Sequence, residues 1–206
     1  MARTPLPPNE KRVFINVPFD DEYAPLFQAL LFTIEGCGFS SCCALEEPGN
    51  AKPRLLKIFN LIEEAALSIH DLSRTKLDKK TRLPRFNMPL ELGICLGYRH
   101  LDIKGAKKRD CLIFEQTPYK HQQFISDLAG NDIVPHENNP EKIILNVRNF
   151  LDKYSSLPPL RGEEICKKYN QFGSDLSSFV QENNIKQLDF GILSEFIQYW
   201  WASSNR

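Results

Sequence analysis

The stretch VFINVPFDDEYAPLFQALLFTIE, residues 13–35, decides the fold. Its first five residues are β-branched or aromatic apart from Asn16, and Pro18 ends the run because proline cannot donate to a strand ladder. An acidic turn, Asp20-Asp21, follows, and then Leu26, Phe27, Leu30, Leu31 and Ile34 recur at helical spacing over Tyr23 to Glu35. Gly36 and Gly38 stop that helix. The pattern repeats downstream. Phe39 to Leu45 is expected as a second strand, Leu55 to Ala66 as a second helix, Leu67 to Asp71 as a third strand and Pro89 to Tyr98 as a third helix. Asp110 to Phe114 gives a fourth strand, and Ile133-Val134 a short fifth before a helix over Pro140 to Tyr154. Strands alternating with helices imply right-handed βαβ units, so the expected class is α/β, with a parallel sheet of about five strands and helices on both faces.

Composition changes at Ser155-Ser-Leu-Pro-Pro-Leu160, which reads as a linker. Residues 1–154 are thereby assigned to the α/β domain and residues 155–206 to a helical extension. Within the extension, Glu163 to Gln181 and Ser194 to Ala202 form a helical pair that serves as a lid or an oligomer contact.

Charge and cysteine usage narrow the partners. The 26 basic and 26 acidic residues cancel, so no global field attracts nucleic acid or anionic membrane. The longest apolar runs, such as Ala65 to Ile69 and Leu90 to Gly97, fall short of the roughly 20 residues that span a bilayer. Met1 to Arg12 is polar and proline-rich, unlike a secretory signal, so a cytoplasmic location is expected. Cysteines 37, 42, 43, 95, 111 and 166 form no C-x-x-C pair and have no accompanying histidine spacing, which argues against a zinc site. They read as small buried hydrophobes.

In an open parallel sheet, ligands bind beyond the carboxyl ends of the strands. The first strand offers Asn16, Pro18, Phe19 and Asp20 there, the third His70, Asp71, Ser73 and Arg74, and the fourth Glu115. Arg85, Phe86, Asn87 and Glu91 precede or open the third helix. With Pro89 in the first turn, Asn87 or Met88 is expected as the cap, and Glu91, four residues after Asn87, either caps backbone amides or faces the crevice. Asp71 can cap the next turn or pair with Arg74. His70 points away from Asp71, as a satisfied structural histidine would. Neither G-x-G-x-x-G nor a Walker loop occurs, which weakens a dehydrogenase or P-loop reading.

The order Phe14-Ile-Asn-Val-Pro-Phe19, Ile69-His-Asp-Leu-Ser73, Asn87-Met-Pro-Leu-Glu-Leu-Gly93 and Leu96-Gly97 resembles the superfamily of nucleoside 2-deoxyribosyltransferases and TIR-like nucleotide-processing domains. The resemblance covers about residues 12 to 135. It is strongest to bacterial TIR-like proteins, some associated with antiphage defence, and it implies a flavodoxin-like or TIR-like sheet. It further implies an N-glycosidase that hydrolyses or transfers at the N-ribosyl bond of NAD or a related nucleotide, with no metal and no cofactor beyond that substrate. The alternatives are a nucleoside 2-deoxyribosyltransferase and a non-catalytic module that binds a nucleotide signal. Glu91 then takes the nucleophile's place and Asp71 the strand-end acid's. Asn16, Pro18, Phe19, Asp20, Ser73, Arg85 and Asn87 are left to bind substrate, and a homo-oligomer is expected, with no membrane or nucleic acid involved. Arg85 stands where deoxyribosyltransferases carry an acid, six residues before the nucleophile, which favours a phosphorylated ligand. Asn87-Met88 replaces their glycine-threonine.

Overall fold

A computed structural model describes residues 11–45, 53–74, 82, 86–101, 109–156, 158 and 160–204. Strand β1 spans Arg12–Asn16, β2 Ser40–Cys43, β3 Leu67–Asp71, β4 Asp110–Glu115 and β5 Ile133–Pro135. They form one parallel sheet in the order β2-β1-β3-β4-β5. This is the flavodoxin-like arrangement, whose switch point lies between β1 and β3. The helices are α1 (Ala24–Gly36), α2 (Arg54–Glu64), α3 (Asn87–Leu101), α4 (Pro140–Asp152), α5 (Gly162–Glu182) and α6 (Phe190–Ser203).

Alternation along the strands builds two faces. Val13, Ile15, Leu67, Ile69, Leu112 and Phe114 join a large core with residues of α1 and α4. On the other face, Phe14 and Cys42 pack with Ile58, Leu61 and Ile62 of α2 and Cys95 of α3. Leu72, Leu92, Ile113 and Leu128 make a third, smaller cluster.

The last two helices are an outer layer on the α1/α4 side. Ile165, Phe172, Leu176, Leu193, Ile197, Trp200 and Trp201 belong to the same cluster as the strand residues of that face. The Trp201 indole Nε1–H donates to the Phe32 carbonyl at 3.0 Å, and the two rings lie 4.7 Å apart. Gly36 permits this approach, since a Cβ there would come within 2.4 Å of the Trp201 ring. The segment between α4 and α5 is pinned as well. Ser155 Oγ donates to the Cys37 carbonyl at 3.0 Å, and Arg148 Nε donates to the Leu160 carbonyl at 2.7 Å.

Local chemistry explains the boundaries. Pro25 and Pro140 stand in first helical turns, where the missing N–H is no loss. Asn139 and Asp189 cap α4 and α6 by accepting from Glu141 N and Ile192 N at 2.8 and 2.9 Å. Helix α3 begins earlier than the spacing around Pro89 indicated: Asn87 is already helical, so neither Asn87 nor Met88 is the cap. No helix among the described residues is long and apolar enough to cross a membrane.

Candidate functional site

At the switch point, successive residues of β3 turn to opposite faces of the sheet and meet different chemistry. Asp71 faces α1. Its side chain is fully buried, and both oxygens are engaged: Oδ2 accepts from the Tyr23 hydroxyl at 2.9 Å and lies 3.0 Å from His136 Nε2, while Oδ1 accepts from Ser73 N at 2.7 Å. Asn138 N–H donates to His136 Nδ1 at 3.0 Å, which places the ring proton on Nε2. That N–H also lies 2.8 Å from Ser73 Oγ. Burial pushes the Tyr23 phenol well above its usual range, and the Asp71 carboxylate pushes it further.

Asp71 therefore does not pair with Arg74. The Arg74 guanidinium instead grips Asp20 through two bonds, one of them from Nε at 2.8 Å, and reaches Glu22 at 3.1 Å. The hydrogen bond to Asp20 holds the guanidinium above its ordinary pKa. This clamp closes the β1–α1 loop over the end of β3.

His70 faces α2 and α3. Asn16 donates both amide hydrogens, one to His70 Nδ1 at 3.0 Å and one to the Met88 carbonyl at 2.9 Å, tying β1 and β3 to the first turn of α3. The sequence reading of His70 as satisfied is half right. Its Nδ1 is bonded, but its Nε2 is buried with no hydrogen-bond partner among the described residues. Burial lowers the imidazole's pKa to about 3, so the ring stays neutral.

Glu91 lies one turn along α3 from Met88, on the same buried face as Leu92 and Cys95. It is 5% exposed, and its carboxylate accepts no hydrogen bond among the described residues. It does not cap its helix. Burial pushes its carboxyl up to about 7, with the Arg54 guanidinium at the start of α2 opposing part of the shift. Asn87, at the mouth of α3, is exposed. Asp71 and Glu91 thus stand on opposite faces of the sheet, whereas the resemblance implies that they serve one site as strand-end acid and nucleophile. Arg85 lies outside the described residues.

A cavity of about 850 Å³ is on the α1 side. Pro18, Phe19 and Asp20 line it together with Leu45 and the α5–α6 turn, Gln187 to Leu193; neither Asp71 nor Glu91 does. Glu115, the remaining strand-end acid, is absorbed by its own loop: it accepts from Tyr119 N, His121 N and His121 Nδ1 at 2.7, 3.0 and 3.0 Å.

Sequence reasoning missed Tyr23 and His136 as neighbours of Asp71, and Arg54 as a charge that acts on Glu91. A tyrosine at a helix start and a lone histidine in a turn carry no local signal of such pairing. Fold and strand ends together define an α/β protein with a flavodoxin-like sheet whose switch point lies between β1 and β3. No family model matches the chain, and no curated protein matches it either.

Proposed function

We propose that the chain is a nucleotide-processing N-glycosidase that acts at the N-ribosyl bond of NAD or a related nucleotide, with Glu91 stabilising the oxocarbenium-like transition state. The observation that carries this reading is the buried carboxyl of Glu91, which accepts no hydrogen bond among the described residues. A carboxylate in that setting is destabilised when ionised, by about 3 kcal/mol for a rise from 4.5 to about 7. Positive charge developing on the sugar recovers that penalty, so the interaction is stronger in the transition state than in the ground state. A ligand that arrives already cationic, as an N-ribosylated pyridinium does, favours the anion on binding.

The other residues serve this centre. Asn16 positions the first turn of α3, and thereby Glu91, through the Met88 carbonyl. Asn87 at the start of α3 binds a ribose hydroxyl and Arg85 contacts phosphate, whereas Phe19, expected to wall the base, lines the α1-side cavity instead. Asp71 is a positioning residue, because its oxygens already hold Tyr23, Ser73 and His136. The motifs shared with TIR-like and deoxyribosyltransferase proteins support the same reading.

The test is incubation of purified protein with NAD, nucleosides and nucleoside monophosphates, followed by chromatography for free base. Base release by the wild type, lost in Glu91→Gln with the fold intact, is the expected result. Equal release by both proteins rejects Glu91 as the reacting group.

A further inference from the structure

The cavity between the β1–α1 loop and the α5–α6 turn lies apart from Glu91 and has a lining of its own character. Phe19, Phe27 and Phe190 form a run of rings, with centroids 5.4 and 6.1 Å apart, and Leu45 and Leu188 add apolar wall. Among the described residues that line it, the charged ones are all acidic: Asp20, Asp21 and Asp189. Two of these are compensated. Asp20 is clamped by Arg74, and Asp189 accepts from Ile192 N at the start of α6. The Asp21 carboxylate has no ion pair or hydrogen bond among the described residues.

Ring faces and an uncompensated carboxylate both attract cations, and the helix end that could have received an anion is already occupied by Asp189. A volume of about 850 Å³ falls within the range of organic-ligand pockets. We propose that this cavity is a binding site for an organic cation with a flat aromatic body, seated against Phe19 and paired with Asp21, and closed on its far side by the α5–α6 turn. The site gives the carboxyl-terminal helices a task beyond packing: they carry the second wall of a pocket whose first wall belongs to β1 and α1. It does not rest on the glycosidase reading.

Calorimetric titration of the full chain with benzyltrimethylammonium, benzyl alcohol and benzenesulfonate tests it. The ammonium is expected to bind about tenfold more tightly than the alcohol, and the sulfonate most weakly, as a cation–π contact plus one partly exposed charge pair implies. Asp21→Asn should weaken the ammonium about fivefold and leave the alcohol unchanged. Phe19→Ala should weaken both about tenfold. Glu91→Gln should change neither, which separates this site from the catalytic crevice. The proposal is overturned if the sulfonate binds as tightly as the ammonium, if no probe binds at millimolar concentration, if Asp21→Asn and Phe19→Ala both leave the ammonium affinity intact, or if Glu91→Gln removes it.

Discussion

Asp71 and Glu91 are buried on opposite faces of one parallel sheet, yet Asp71 accepts two hydrogen bonds and lies beside His136 while Glu91 accepts no hydrogen bond among the described residues. A desolvated carboxylate is tolerable when donors replace its water and expensive when they do not. The first arrangement is architecture: Asp71 locks the start of α1, the end of β3 and the turn after β5 into one unit. The second leaves a carboxylate whose ionised form burial disfavours, with Arg54 offsetting only part of the penalty, so that an added cationic partner relieves more of it. Burial alone therefore does not distinguish a structural acid from a reactive one; the number of donors does.

Removing each acid should have opposite effects on stability, and the largest is expected at Asp71. Asp71→Ala strands the Tyr23 hydroxyl and the Ser73 N–H in a dry interior, so it should cost about 3–5 kcal/mol by urea denaturation. A loss below 1 kcal/mol would break the contrast. Glu91→Gln should instead stabilise the fold, and its pH dependence follows from the raised carboxyl. The group ionises near 4.5 when unfolded but near 7 when folded, so the wild type loses stability as pH rises through that window. The variant should equal the wild type below pH 4.5 and exceed it by up to about 3 kcal/mol above pH 7. Denaturation curves at pH 4 and pH 8 check this, and a variant less stable than wild type at both would show that Glu91 has partners after all. Ser73→Ala removes only the hydroxyl that lies near His136, leaving the N–H bond to Asp71, and is expected to cost about 1 kcal/mol.

The contrast between the acids was only partly legible in the sequence. Strand β3 was readable to the residue, because Leu67-Ser-Ile-His-Asp71 follows the helix end at Ala65-Ala66 and closes on an acid before a polar loop, and alternation placed His70 and Asp71 on opposite faces. The parallel class followed from strand–helix alternation. What could not be read was which donors each acid would meet. Arg74, three residues from Asp71, turns to Asp20 and Glu22 on a different loop, while His136, 65 residues away, takes the place next to Asp71. Such choices are made by tertiary proximity, on which local spacing is silent. The start of α3 was misjudged for a related reason. Pro89 is tolerated anywhere in a first turn, so it does not fix which residue precedes the helix. The union of the first loop with the α5–α6 turn, some 170 residues apart in sequence, left no local trace either.

The pH dependence of kcat/KM for base release from NAD tests the central claim most directly, because it reports the essential ionisations of the free protein. If Glu91 acts as the anion facing a developing cation, kcat/KM should rise with pH and level off with a midpoint near 7, and Glu91→Gln should abolish the activity across the range. A profile that falls through pH 7, or one that Glu91→Gln leaves unchanged, would contradict it.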